Sequence, residues 1–256
     1  GIPMRIGFAN PKSGWLLTHR VPPSPVAMHK ASTDLLLLEA VGLLTAAVPY
    51  EYVVSEEERR AARQRLAERH ALDGRPLIIL HPGANWLHKR WAPQRFAALG
   101  DRLAQHDQAQ IAITGGLEDT ALATAVASQM RAPALMLAGT TTVRELGAYC
   151  EQARLVVSND TGVLHMAAAM VRPVVALYGP TDPALTGPLG DPSRTVVLHH
   201  PDCCPRIPCY EPDRPPHPGM DSITVEEAFA AANCGAVLLV VGVLFVREHV
   251  AQGSIG

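Results

Sequence analysis

Residues 153–182 read ARLVVSNDTGVLHMAAAMVRPVVALYGPTD, and this stretch decides the fold. Ala153–Ser158 is a short apolar, β-branched run of the kind that forms a strand buried on both faces, and Pro173–Tyr178 is a second. Between them, Gly162–Val171 reads as a helix of small and apolar residues. Two parallel strands joined by a helix form a right-handed βαβ unit, and ligands of such sheets bind beyond the carboxyl ends of the strands. Asn159-Asp160-Thr161-Gly162 falls at that edge.

The turn suits an anion. Thr161 is a good N-cap, Gly162 lets a ligand approach the backbone, and the first helical amides are unpaired donors at the positive end of the dipole. A phosphate would fit there. His165 lies about one turn into the helix and could add a donor. Asp160 would repel a phosphate, which points it toward hydroxyl binding or toward ordering the loop. The same residues allow a plainer account: any helix takes a cap, and a histidine beside Met166 can be a satisfied core residue.

Outward from this unit, strand-like runs at Leu77–His81, Gln110–Thr114, Ala134–Ala138, Leu155–Ser158 and Val174–Tyr178 alternate with helical patterns at Pro93–His106, Glu118–Met130, Thr142–Glu151 and Gly162–Val171. Strands interleaved with crossover helices imply a parallel sheet in a Rossmann-like α/β domain. Upstream, Ile2–Ala9 is strand-like, His19–Pro25 is Pro-rich and extended, and Ser32–Val41 predicts a short helix capped by Ser32 or Thr33 with Asp34 in its first turn. Ser55–His70 predicts a helix with a Ser55/Glu58 capping box and a Glu56–Arg60 pair. Its arginines are interleaved with glutamates and no aromatics, which reads as a solvated face rather than a nucleic-acid surface. After Gly190 the pattern decays into a Pro-, Cys- and His-rich loop over 199–219, and Thr224–Ala232 recovers a helix.

The 256 residues are 48% hydrophobic, ample for a core, with a formal net charge of −2. That balance offers no general reason to bind nucleic acid or an anionic membrane, so any phosphate selectivity must be local. An odd number of cysteines, five, without a framework predicts a reducing, cytoplasmic setting. No signal peptide is expected at the start. The longest apolar run, Gly235–Val246, is shorter than the roughly 20 residues a membrane-crossing helix needs, which leaves a buried element or a peripheral contact with the inner membrane.

Three strand-end loops should share one crevice: His81–Trp91, Thr114–Asp119 and Ser158–Gly162. In the first, Lys89 is a mobile cation suited to a pyrophosphate, with Arg90 beside it. In the second, Glu118 at a helix start could accept hydrogen bonds from ribose hydroxyls, with Asp119 almost as well placed, although carboxylates belong at helix starts for dipole reasons alone. His199, His200, Cys203, Cys204, Cys209 and His217 could supply a zinc site, yet CC-x4-C lacks paired C-x2-C spacing; an irregular loop with buried thiols is the alternative.

SNDTGVLHMAAA (158–169) followed by PVVALYGPTDPALTGPLG (173–190) resembles the signature of the ADP-heptose:lipopolysaccharide heptosyltransferases, glycosyltransferase family 9. HPGANWLHKRW (81–91), ITGGLED (113–119), LAGTTTVRELGAYCEQARLVVS (137–158) and SITVEEAFAA (222–231) extend the resemblance, in the family's order, over Leu77–Ala231. It implies a GT-B-type enzyme with 1–54 as the remnant of a truncated N-terminal Rossmann-like acceptor domain, 55–76 as a helical linker and 77–232 as the donor-binding domain. Cys234–Gly256 matches no element of the family, leaving 233–256 as an atypical apolar tail.

The resemblance assigns Lys89, Asp160, Thr161, Gly162 and His165 to donor diphosphate and sugar, with Lys89 and Asp160 in supporting catalytic roles. The general base is expected before residue 1, so the chain is expected to bind donor and transfer poorly. The implied donor is a nucleotide-diphosphate sugar such as ADP-heptose, the acceptor a lipopolysaccharide core or other glycan, with neither cofactor nor metal in the chemistry. A non-catalytic nucleotide-sugar-binding module is the rival reading; an NAD-dependent oxidoreductase is weakened by the lack of GxGxxG after the first strand.

Overall fold

The computed structural model describes residues 2–12, 14–43, 50–69, 74–204, 206–209 and 217–233. The apolar run Gly235–Val246 lies outside them. No helix among the described residues is long and apolar enough to cross a membrane.

The chain divides into two compact units, one of Gly1–Pro49 with Ala184–Gly187, the other of Tyr50–Pro183 with Pro188–Gly256. In the first, β1 (Ile6–Phe8) and β2 (His19–Val21) pair in parallel. Helix α1 (Lys30–Glu39) begins two residues earlier than the Ser/Thr pattern suggests. Its cap is His29, whose Nδ1 accepts from the Ala31 amide at 3.2 Å, and Asp34 pairs with Lys30. A histidine ring nitrogen has done what a serine hydroxyl usually does, so Ser32 and Thr33 fall inside the helix.

The second unit opens with α2 (Glu56–Glu68), capped by the Ser55/Glu58 box. The helix is not solvated all round. Ala62 and Leu66 are buried, Arg59 pairs with Glu56 and Glu151 rather than leaving Glu56 to Arg60, and Arg144 grips Glu58. There follow β3 (Leu77–His81), α3 (Pro93–His106), β4 (Gln110–Ile113), α4 (Thr120–Ala127), β5 (Ala134–Met136), α5 (Val143–Gln152), β6 (Leu155–Asn159), α6 (Gly162–Ala169) and β7 (Val174–Tyr178). After the short α7 (Pro183–Thr186), a strand absent from the sequence reading, β8 (Thr195–His199), joins β7 in parallel, and α8 (Pro218–Ser222) and α9 (Val225–Asn233) complete the described fold.

All six strands of the second unit run parallel in the order β5-β4-β3-β6-β7-β8. Alternating residues feed two apolar layers, as a period of two requires. Leu77 and Ile79 pack with α2, α5 and α6 through Leu66, Tyr149 and Leu164. Ile78 and Leu80 pack on the other face with α3, α4 and α9 through Phe96, Leu103, Val126 and Ala228. The order reverses between β3 and β6, and such a switch point opens a crevice at the carboxyl ends of the strands.

Candidate functional site

The loops after β4, β3 and β6 stand side by side because their strands are neighbours. Asn159, at the last position of β6, holds two of them together. Its Nδ2 donates to the carbonyls of Pro82 and Gly83 at 2.9 and 3.3 Å, and its Oδ1 accepts from the Trp91 amide at 3.2 Å. Fully buried, it had no motif beyond its place in the N-D-T-G string to mark it, and only the topology shows its role. His81, the last residue of β3, is bonded through Nδ1 to the Thr114 hydroxyl at 2.9 Å. Burial above all holds its pKa down to about 4; the negative charge of Asp119 works the other way, and the positive charge of Arg90 works with burial.

Lys89 ends a single 3-10 turn, Leu87–Lys89. Its ammonium is held rather than mobile: Nζ lies 2.6 Å from Asp160 Oδ2 and 4.8 Å from the centre of the Trp86 ring. Asp160 also accepts from the Thr181 hydroxyl at 2.8 Å and the Tyr178 hydroxyl at 3.2 Å. Asp160 therefore orders the loop and fixes the cation at the switch point. The pair is mostly buried, with side chains 16% and 8% exposed, so its charges are poorly screened.

Arg90 does not join Lys89. Its guanidinium turns to Asp119 at 3.1 Å and to the Ala84 carbonyl at 3.0 Å. Asp119 is committed twice over, since its Oδ2 also accepts from the Gly116 amide at 3.3 Å. Glu118 sits in the 3-10 turn Leu117–Asp119, before α4 begins, and is exposed. Of the two carboxylates that the sequence left nearly equivalent, one braces the loops and the other faces solvent.

Thr161 takes the N-cap position of α6 with an extended backbone, but its hydroxyl bonds to the Ser158 hydroxyl at 3.0 Å and makes no cap to a helical amide. The first amides of α6 thus keep their donors for another acceptor. A Cβ added to Gly162 would meet nothing within 4 Å, so open space lies in front of that helix end. His165 is half-buried one turn on, and its carbonyl accepts from the Tyr50 hydroxyl at 3.3 Å. The structure brings Lys89 and Asp160 into contact beside the α6 terminus; Glu118 stands on the adjoining loop without a bond to either.

Residues 1–212 match the family model for glycosyltransferase family 9 (heptosyltransferase). The chain is 32% identical over 155 residues to lipooligosaccharide heptosyltransferase 2 of Haemophilus influenzae, covering 59% of this chain and 44% of that protein. It is 35% identical over 129 residues to lipopolysaccharide heptosyltransferase 2 of Salmonella typhimurium, covering 48% of this chain and 37% of that one. The chain thus spans less than half the length of these curated relatives. Among solved structures, Escherichia coli ADP-heptose lps heptosyltransferase II superposes with a TM-score of 0.74 at 24% identity, covering 91% of this chain and 70% of that one, which shows a shared fold. With a switch-point crevice built on six parallel strands and a family match over residues 1–212, the chain belongs to glycosyltransferase family 9.

Proposed function

We propose that this chain forms the donor side of a heptosyltransferase, binding a nucleotide-diphosphate sugar of the ADP-heptose kind for transfer to a lipopolysaccharide-core acceptor. One observation carries the reading: a cation clamped by Asp160 stands at the sheet's switch point beside a helix terminus whose amides are uncapped by any side chain. Both favour the diphosphate. Glu118 is assigned to the ribose, and His165 to the diphosphate or sugar. In a direct displacement the acceptor hydroxyl loses its proton to a base while negative charge grows on the leaving diphosphate. Lys89 and the α6 amides meet that charge where it develops. Escherichia coli ADP-heptose lps heptosyltransferase II, which shares this fold, is named for an adenine-nucleotide sugar, in agreement with this donor.

The alternative, a module that binds donor without turnover, is favoured by the state of the polar residues in the first unit. His29 caps α1 through Nδ1 and donates from Nε2 to the Gly187 carbonyl at 2.9 Å, and Asp34 is paired with Lys30, so neither stands ready as a base. Calorimetry with ADP-, GDP- and UDP-sugars tests the donor assignment. Lys89→Ala should weaken ADP-sugar binding by about 1.5–3 kcal/mol, the loss expected for a charge-assisted bond, and unchanged affinity would remove Lys89 from the site. A radiolabelled transfer assay with a truncated core acceptor separates the two readings. Turnover by this chain on the order of 1 per second or faster, an ordinary enzymatic rate, excludes the binding module.

A further inference from the structure

The loop that follows β8 gathers soft ligands that no part of the donor site uses. The Sγ atoms of Cys204 and Cys209 and a ring nitrogen of His217 all lie within 4.8 Å of one another. Both cysteines are free thiols and partly buried, and His217 is 4% exposed. His88, His199 and His217 each have a buried Nε2 without a hydrogen-bond partner among the described residues. Buried polar atoms are nearly always paired, so a His217 nitrogen without a partner among the described residues, on a ring beside two thiols, needs an explanation.

We propose that Cys204, Cys209 and His217 bind one thiophilic divalent cation, zinc by preference, as the three protein ligands of a tetrahedral site with water in the fourth position. Two thiolates with an imidazole nitrogen form a donor set suited to zinc.

Binding releases the two thiol protons to solvent and changes no oxidation state. His217 Nδ1 now accepts from the Gly219 amide at 3.1 Å. Ligation through Nδ1 takes that lone pair, and ligation through Nε2 moves the ring proton onto Nδ1. Either way the Gly219 amide loses its acceptor. The metal would tie the loop after β8 to the start of α8.

The test uses the full chain, purified under reductant and stripped of metal, titrated with Zn²⁺ and in parallel with Co²⁺. The expected result is one equivalent bound, with cobalt giving a thiolate-to-metal charge-transfer band and intense tetrahedral visible bands. Cys204→Ser, Cys209→Ser and His217→Asn should each weaken binding by roughly tenfold or more, since losing even an outer-shell partner costs that much. The asparagine keeps an N-cap acceptor for α8 and removes the imidazole, so a fall in metal affinity without unfolding by circular dichroism isolates the ligand role. Cys203→Ser, at an exposed cysteine beside the cluster, should bind as the parent does. Substoichiometric binding, octahedral cobalt spectra, equal loss in Cys203→Ser, or a Cys204–Cys209 disulfide that persists under reductant would each overturn the proposal.

Discussion

Gly162 is a residue whose need is spatial rather than conformational. Its backbone does not take the left-handed region that favours glycine, and a Cβ there would touch nothing. The space it leaves is the space a phosphate would fill against the α6 amides. Gly162→Val should therefore leave the melting temperature within a few degrees of the parent, by about the loss of a β-branched helix substitution. Donor binding should fall below detection in calorimetry, and parental affinity would place the diphosphate elsewhere. The D-T-G string announced this position. What it did not announce was that Thr161 bonds sideways to Ser158, or that Asp160 clamps Lys89, because both depend on side chains brought together from separate loops. Spacing along the chain showed which residues reach the crevice. It could not show which of Lys89 and Arg90, or Glu118 and Asp119, would be drawn into a brace.

At the scale of elements, the stitch between neighbouring strand ends has a consequence for stability. His81 and Thr114 join β3 to β4, and the native His81 ring is kept neutral down to about pH 4 while an unfolded one titrates near 6.5. Between these values the unfolded chain binds more protons, so stability falls as pH falls. The contribution is fully present above 6.5, declines by up to about 1.4 kcal/mol per pH unit, and is exhausted by about 4, roughly 3 kcal/mol in all. Urea unfolding of the parent and of His81→Gln across this window checks it. The variant should show the shallower slope, and parallel slopes would mean that His81 titrates normally in the native state. Strands such as Leu77–His81 and Val174–Tyr178 were legible in full because burial on both faces demands a continuous apolar run. Thr195–His199 was not: it is an edge strand, half-buried along its length, set between Pro- and Gly-rich segments that mimic a loop.

For the whole molecule, the division into two units predicts where donor affinity resides. Every residue assigned to the donor lies in the second unit, as do Asn159, Trp86, Tyr178 and Thr181, which fix their positions. Both apolar layers of the six-stranded sheet are drawn from that unit as well, including Ala62 and Leu66 from the segment the sequence reading treated as a linker and Val54 from the end of the segment it gave to the N-terminal domain. That segment is fastened by charge too: Arg144 beside Glu58 holds its carboxyl down to about 2, helped by the Ser55 amide and hydroxyl. A protein beginning at Tyr50 therefore retains the core, the clamp and the helix terminus, whereas one beginning at Leu77 loses part of an apolar layer. Removing buried residues on the scale of Leu66 costs about 2–5 kcal/mol each, a large share of a domain's stability. The Tyr50 version should unfold cooperatively and bind ADP within about threefold of the full chain, a difference under 1 kcal/mol. The Leu77 version should be much less stable, with ADP affinity surviving only where it folds. Calorimetry and urea melts on the three lengths decide this. A loss of ADP affinity beyond tenfold in a folded Tyr50 version would show that the first unit contributes to the donor site.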